Sequence, residues 1–241
     1  MISSLNNEKI KEYAKLNDKK YRNKNNLFLI EGQYLALEAY KKGLIKEIFL
    51  LDGEANTFEG IQVTYVTNEV LKKISSLSTP PKIIAVCYKL KSTELSGNVI
   101  ILDDISDPGN LGTIIRSSVA FNYGTIILSP NTVDIYNSKV LRSSEGMIFN
   151  INIIVSELIP KIEELKKNDY LIIGSDVKSG HKPLPITTKH ALIIGSESIG
   201  IKKELLTLTD QNISIKMNPE CESLNAAVSA SILMYQLSAN K

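Results

Sequence analysis

Three short stretches of this 241-residue chain hold the residue types and spacings from which chemistry could be built. The first is Asp103-Asp104-Ile105-Ser106-Asp107-Pro108-Gly109-Asn110-Leu111-Gly112-Thr113-Ile114-Ile115-Arg116. Pro108 and Gly109 mark the opening of a helix, and Arg116 follows about one and a half turns in. Gly112 and Ala120 flank Arg116 at four residues on either side, so a substrate or another backbone can approach its guanidinium. A surface ion pair would account for Arg116 taken alone, whereas its planar, permanently charged fork also suits a phosphate.

The second stretch is Gly195-Ser196-Glu197-Ser198-Ile199-Gly200-Ile201-Lys202. A phosphate-binding P-loop ends in Gly-Lys-[Ser/Thr]. Here Ile201 separates the glycine from the lysine and no hydroxyl follows, and the Gly-x-Gly-x-x-Gly dinucleotide pattern is missing too. The carboxylate of Glu197 would repel a triphosphate and suits a neutral or cationic ligand, such as the sulfonium of S-adenosylmethionine. The third stretch runs from Ile215-Lys216-Met217 to Ser223-Leu224-Asn225, at the start of a helix. Unpaired backbone N–H groups and the positive end of the helix dipole gather there, and a helix cap would explain Ser223 and Asn225 equally well.

The elements that must position these loops read as an α/β chain. From residue 99 onward, strands of Val, Ile and Leu with little polar alternation are predicted at 99–102, 125–128, 170–173, 191–194 and 213–215, with a weaker one at 151–155. Helices are predicted at 109–122, 159–167, 202–208 and 223–237. Such strands belong to a parallel sheet covered on both faces. Ligands in these sheets settle at the carboxyl ends of strands, which points to the loops after Leu102, Ile194 and Ile215. The last helix is apolar nearly all round and needs cover on two sides. Residues 1–92 form a smaller α/β domain, with helices at 7–20, 33–42 and 68–77 and strands at 27–30, 45–51, 62–66 and 83–88; a polar linker at 93–98 leads into a second domain, 99–241.

Composition narrows the class further. The chain is 43% hydrophobic and 22% charged, which is ordinary for a globular protein. No apolar run approaches the roughly 20 residues of a membrane span and the N-terminus lacks a signal-peptide core, so a cytoplasmic protein is expected. Two cysteines, Cys87 and Cys221, and two histidines, His181 and His190, show no ligand spacing, so no metal is expected. Net charge is +2, yet the first 46 residues hold ten Lys/Arg against five Asp/Glu. Lys15, Lys19, Lys20, Arg22 and Lys24, interleaved with Tyr13 and Tyr21, fit either a phosphate-facing surface or a solvated helix face.

Taken together and in order, Asn110 with Arg116, then Gly195-x-Glu197-x-x-Gly200, then Ile215-x-Met217 leading to Ser223-Leu224-Asn225 resemble the three motifs of the SpoU (TrmH-type) RNA ribose 2′-O-methyltransferases of the SPOUT superfamily. Arg142-Ser143-Ser144-Glu145-Gly146 resembles a loop of that family. Lys19-Lys20-Tyr21-Arg22 followed by Phe28-Leu29-Ile30-Glu31-Gly32 is similar to a signature of its substrate-binding domain. The chain departs from the family at Lys216 and Ser138, where proline is common.

The resemblance implies a C-terminal SPOUT domain with a parallel sheet and a deep trefoil knot, preceded by a small RNA-binding domain of ribosomal-protein-like fold. It implies S-adenosylmethionine held near Ser175, Gly195, Gly200, Ile215, Met217, Leu224 and Asn225. Arg116 would act as general base or as a clamp on an RNA phosphate, with Asn110, Glu197, Ser223 and Asn225 orienting it and the hydroxyl. RNA would lie on Lys19, Lys20, Arg22, Lys24 and Arg142. A homodimer acting on ribosomal RNA follows, with tRNA as the other candidate substrate. A non-catalytic RNA-binding protein of the same fold and a base methyltransferase of the superfamily are the competing readings.

Overall fold

A computed structural model describes residues 1–176, 181–183 and 186–238. The chain forms two compact units, one of residues 1–91 with 134–149 and the other of 92–133 with 150–241.

In the first unit, α1 (Glu8–Ala14), a 3-10 turn (Lys15–Asn17) and α2 (Lys19–Asn25) precede β1 (Leu27–Glu31). The single helix predicted at 7–20 is therefore broken. Asp18 is extended (φ −96°, ψ 132°) and its carboxylate accepts from the Lys20 N–H at 2.8 Å, which caps a new helix. Then come α3 (Gln33–Lys41), β2 (Ile45–Leu51), β3 (Val63–Val66), α4 (Asn68–Ile74) and β4 (Ile83–Tyr88). The strands lie in the order β1-β4-β2-β3, antiparallel except for the parallel β2–β3 pair. Ile10, Tyr13, Leu16, Phe49, Leu71 and Ile74 build the core between helices and sheet.

The second unit contains β5 (Asn98–Asp103), α5 (Pro108–Ala120), β6 (Tyr123–Leu128), β7 (Asn152–Val155), α7 (Leu158–Lys167), β8 (Leu171–Ser175), β9 (His190–Gly195), α8 (Lys203–Leu206), β10 (Gln211–Ile213) and α9 (Ala226–Ser238). All six strands are parallel, in the order β10-β8-β9-β5-β6-β7. The chain builds outward from β5 to β7 and then returns to the other side of β5, so the direction of winding switches between β5 and β9. That is where open parallel sheets offer a crevice. Val99, Ile101, Ile162, Leu165, Ile172 and Ile193 fill the core on one side, and α5 and α9 pack on each other, joined by a 2.7 Å hydrogen bond between Ser117 Oγ and Ser231 Oγ.

Three expectations shift. The last strand ends at Ile213, so Ile215 belongs to the loop that follows. The last helix begins at Ala226, three residues later than predicted. It is also not buried all round, because Val228 and Tyr235 are 46% and 59% exposed. In addition, residues 134–149, expected in the C-terminal domain, pack with the N-terminal unit. Their helix α6 (Ser138–Ser143) lies against β1, Tyr136 stacks on Phe28 with centroids 4.6 Å apart, and Tyr136 Oη accepts from the Leu90 N–H at 2.8 Å. A six-residue helix is too short to show a 3.6-residue period, which is why it read as a loop.

Candidate functional site

Asp107 starts α5: its carboxylate accepts from the Asn110 N–H at 2.8 Å, and Pro108 follows at the first turn, where a missing N–H costs nothing. The cap fixes Asn110 in the first turn with its amide free to work outward. Asn110 Nδ2 donates to Glu197 Oε1, in the loop after β9, while Asn110 Oδ1 accepts from Asn225 Nδ2 at 2.9 Å. Asn225 in turn caps α9, its Oδ1 accepting from the N–H groups of Ala227 and Val228 at 2.9 and 3.3 Å. Three loops separated by up to 115 residues are thus tied into one chain of side-chain hydrogen bonds.

The loop carrying Glu197 folds back on itself. Ser196 and Gly200 form an isolated antiparallel bridge, with the Gly200 N–H donating to Ser196 O at 2.9 Å. A Cβ on Gly195 would overlap the backbone of Gly200 and Ile201, so only glycine permits this approach. Gly200 itself has φ +73°, in the left-handed region.

Beneath this loop lies a cavity of about 280 Å³. Ser175, Gly195, Gly200, Ile215, Met217 and Leu224, all expected around a cofactor, line it, as do Glu197 and Ser223. Ser175 is the last residue of β8, paired with Ile213 of β10, so the cavity sits at the carboxyl ends of β8, β9 and β10. Asp176 also lines it and went unremarked in the sequence; its place directly after a buried strand was the signal. Among the described residues that line it there is no Lys, Arg or His, while Asp176 and Glu197 contribute two carboxylates. Asn225 is not on the wall, because both ends of its amide are spent on Asn110 and on α9. Lys216 is exposed and likewise off the wall.

Arg116 stands apart from this set. It is exposed on α5, about 120° around the helix from Asn110, does not line the cavity, and takes no ion pair or hydrogen bond among the described residues. A structural salt bridge therefore does not account for it.

Among the residues assigned to RNA, Lys19, Lys20 and Lys24 are exposed on α2. Arg22 must be corrected. It is only 6% exposed, its Nη2 lies 2.6 Å from Asp134 Oδ2, and its Nη1 donates to the carbonyls of Leu16 and Asn17 at 2.9 and 2.8 Å. Burial of a charge is tolerated here because a partner and two carbonyls replace water, which leaves nothing to offer a nucleic acid. Arg142 is half-buried, with its Nη1 enclosed and without a protein acceptor. Among the described residues no cluster of His, Cys, Asp and Glu could hold a metal, and no helix is long and apolar enough to cross a membrane.

Comparison with known proteins places the chain in a family. Residues 97–235 match the SpoU rRNA methylase family, and residues 7–85 match an MRM3-like substrate-binding domain. The Bacillus subtilis 23S rRNA (guanosine(2553)-2′-O)-methyltransferase RlmP is 36% identical over 98% of both chains. A crystal structure of an RNA 2′-O ribose methyltransferase superposes with a TM-score of 0.82 at 25% identity, covering 98% of this chain and 96% of the other. The SpoU methyltransferase AviRb from Streptomyces viridochromogenes, solved with AdoMet, shares the fold with a TM-score of 0.86 at 22% identity over 97% of both chains.

Proposed function

Because the chain belongs to the SpoU rRNA methylase family, we propose that it transfers a methyl group from S-adenosylmethionine to a ribose 2′-hydroxyl of large-subunit (23S) ribosomal RNA. The observation that carries this reading is the hydrogen-bonded set Asn110, Glu197 and Asn225 at the edge of a cavity with an anionic wall. The cofactor supplies a methyl group activated by a positively charged sulfur. The Glu197 carboxylate on the wall, with no basic side chain among the described lining residues, favours that charge, as it would disfavour a nucleotide phosphate. Ser175, Gly195, Gly200, Ile215, Met217 and Leu224 would hold the cofactor.

A ribose hydroxyl is a poor nucleophile at neutral pH and must lose its proton as it attacks, so the site has to orient the hydroxyl and lower its pKa. Arg116, exposed on α5 outside the cavity wall, would serve this from the RNA side. A guanidinium with a pKa above about 12 is fully charged, so its role is to hold the phosphate beside the hydroxyl rather than to take the proton unaided. Glu197, fixed by Asn110, and Ser223, on the cavity wall, would orient the hydroxyl. The N-terminal domain, residues 1–92, would bring the RNA, using Lys19, Lys20 and Lys24. The name of the Bacillus relative favours 23S rRNA over tRNA.

The reading extends to assembly and location. Val228 and Tyr235 leave an exposed apolar row on α9, continued by Phe121, whose ring centroid is 5.8 Å from that of Tyr235. Such a row supports a homodimer, which sedimentation would register as a species of twice 26.7 kDa. The reading also includes a C-terminal helix threaded through the preceding chain as a deep trefoil knot, and action in the cytoplasm. A crystallographic trace with α9 outside the loop formed by the preceding chain would remove the knot. Ribose-methylation mapping of RNA from cells with and without the protein tests the function. One 2′-O-methyl in 23S rRNA is expected to disappear with the protein; an unchanged rRNA map with a lost tRNA mark would move the substrate to tRNA.

A further inference from the structure

The loop that carries Glu197 is anchored by a charge for which the catalytic set has no use. Lys202 closes that loop: its N–H donates to Asp103 Oδ2 at 3.0 Å, and its Nζ lies 3.0 Å from Asp103 Oδ1 and 2.7 Å from Asp104 Oδ2. Asp103 is the last residue of β5 and is 1% exposed. Asp104 follows with φ +57°; its N–H donates to Ser129 Oγ at 2.9 Å, and that hydroxyl donates back to Asp104 Oδ1 at 2.7 Å. Burial opposes the charge on Asp104, yet Lys202 and Ser129 hold its carboxyl below the usual range, and Asp104 and then Asp103 raise Lys202 above that of an ordinary lysine. Without the ammonium, two neighbouring carboxylates at a strand end, that of Asp103 buried, would lose their shared counter-charge.

The geometry of the two strands shows what this clasp does. Asn110 springs from the end of β5 and Glu197 from the end of β9, and the strands pair as far as Asp103 opposite Gly195. The loop after β9 is thus held at its first residue by the sheet and at its last by Lys202. We propose that Lys202 is a positioning residue for methyl transfer, clasping the loop after β9 to the end of β5 so that the Glu197 carboxylate meets the Asn110 amide. The proposal rests on the methyltransferase reading for its kinetic consequence and on the loop alone for its structural one.

The test uses the full chain and two variants: Lys202→Met, which keeps most of the stem and loses the charge, and Lys202→Arg, which keeps the charge. Hydrogen exchange at the Gly200 amide, which bonds to Ser196, reads the loop without any cofactor. Calorimetry with S-adenosylmethionine and the split between KM and kcat read the site. Lys202→Met is expected to exchange Gly200 about tenfold faster and to bind the cofactor about tenfold more weakly, with Lys202→Arg recovering most of both. A Lys202→Met protein that melts earlier but keeps wild-type Gly200 protection and cofactor affinity would overturn the proposal, since that is what a merely structural ion pair gives. Should Lys202→Met not fold, Asp104→Asn takes its place: faster Gly200 exchange with weaker cofactor binding supports the clasp, and wild-type values of both overturn it. If the wild type binds no S-adenosylmethionine, the methyltransferase reading fails, and Gly200 exchange still decides the role of Lys202.

Discussion

Arg116→Ala is expected to bind S-adenosylmethionine as the wild type does and to methylate RNA about 10²–10⁴-fold more slowly. The two halves of this result come from separate observations. Arg116 is absent from the cavity wall and from the hydrogen-bonded set, so its removal leaves the cofactor's surroundings untouched. It is also a cation without an ion-pair partner among the described residues, exposed on a helix whose first turn holds Asn110, so an external anion is its expected counterpart. Truncation removes the group that would organise the RNA phosphate beside the attacking hydroxyl. Arg116→Lys is expected to recover only a small part of the rate, because an ammonium lacks the planar fork that grips a phosphate at two points. Single-turnover methylation alongside calorimetric titration separates the two effects, and a normal rate in Arg116→Ala would remove Arg116 from the chemistry.

Gly195→Ala is expected to abolish measurable cofactor binding and to cost about 1–3 kcal/mol of stability, although it adds one methyl group. The new Cβ would overlap the backbone of Gly200 and Ile201, and neither can retreat cheaply. Ile201 is buried, and the next residue is clasped to Asp103 and Asp104. The loop must open, carrying Glu197 away from Asn110 and unroofing the cavity. Gly200→Ala makes the contrast. Nothing lies within 4 Å of its would-be Cβ, so only the left-handed conformation is penalised, at about 1–2 kcal/mol, with the cavity preserved. Melting curves and titrations of the two variants are therefore expected to diverge: similar losses of stability, with cofactor binding lost only in Gly195→Ala.

Much of this was legible in the sequence where one physical signal dominated. Runs such as Val99-Ile100-Ile101-Leu102 and Ala191-Leu192-Ile193-Ile194 read as strands covered on both sides, and they are buried strands. The glycines of the second loop were legible as a turn, and the polar start of the last helix as a cap. What stayed hidden were pairings across long separations. Arg22 reads as one more cation in a basic stripe because its partner, Asp134, lies 112 residues away. Lys202 reads as a lysine one place out of register for a P-loop until Asp103, 99 residues upstream, is seen against it. The helix break at Asp18 was hidden for the opposite reason. It is local, a choice between continuing one helix and capping another, and the helix-forming Lys19 and Lys20 directly after Asp18 read as a continuation.

Several loops become one site only if the cavity and the side chains at its edge act together on a ribose. The most direct measurement supplies the purified protein with S-adenosylmethionine labelled in its methyl group and with 23S rRNA, then digests the RNA to nucleosides. Label recovered in a single 2′-O-methylated nucleoside, and lost when that position is 2′-deoxy, is the result predicted here. Label on a base, or RNA bound tightly with no label transferred, would contradict the account at its centre.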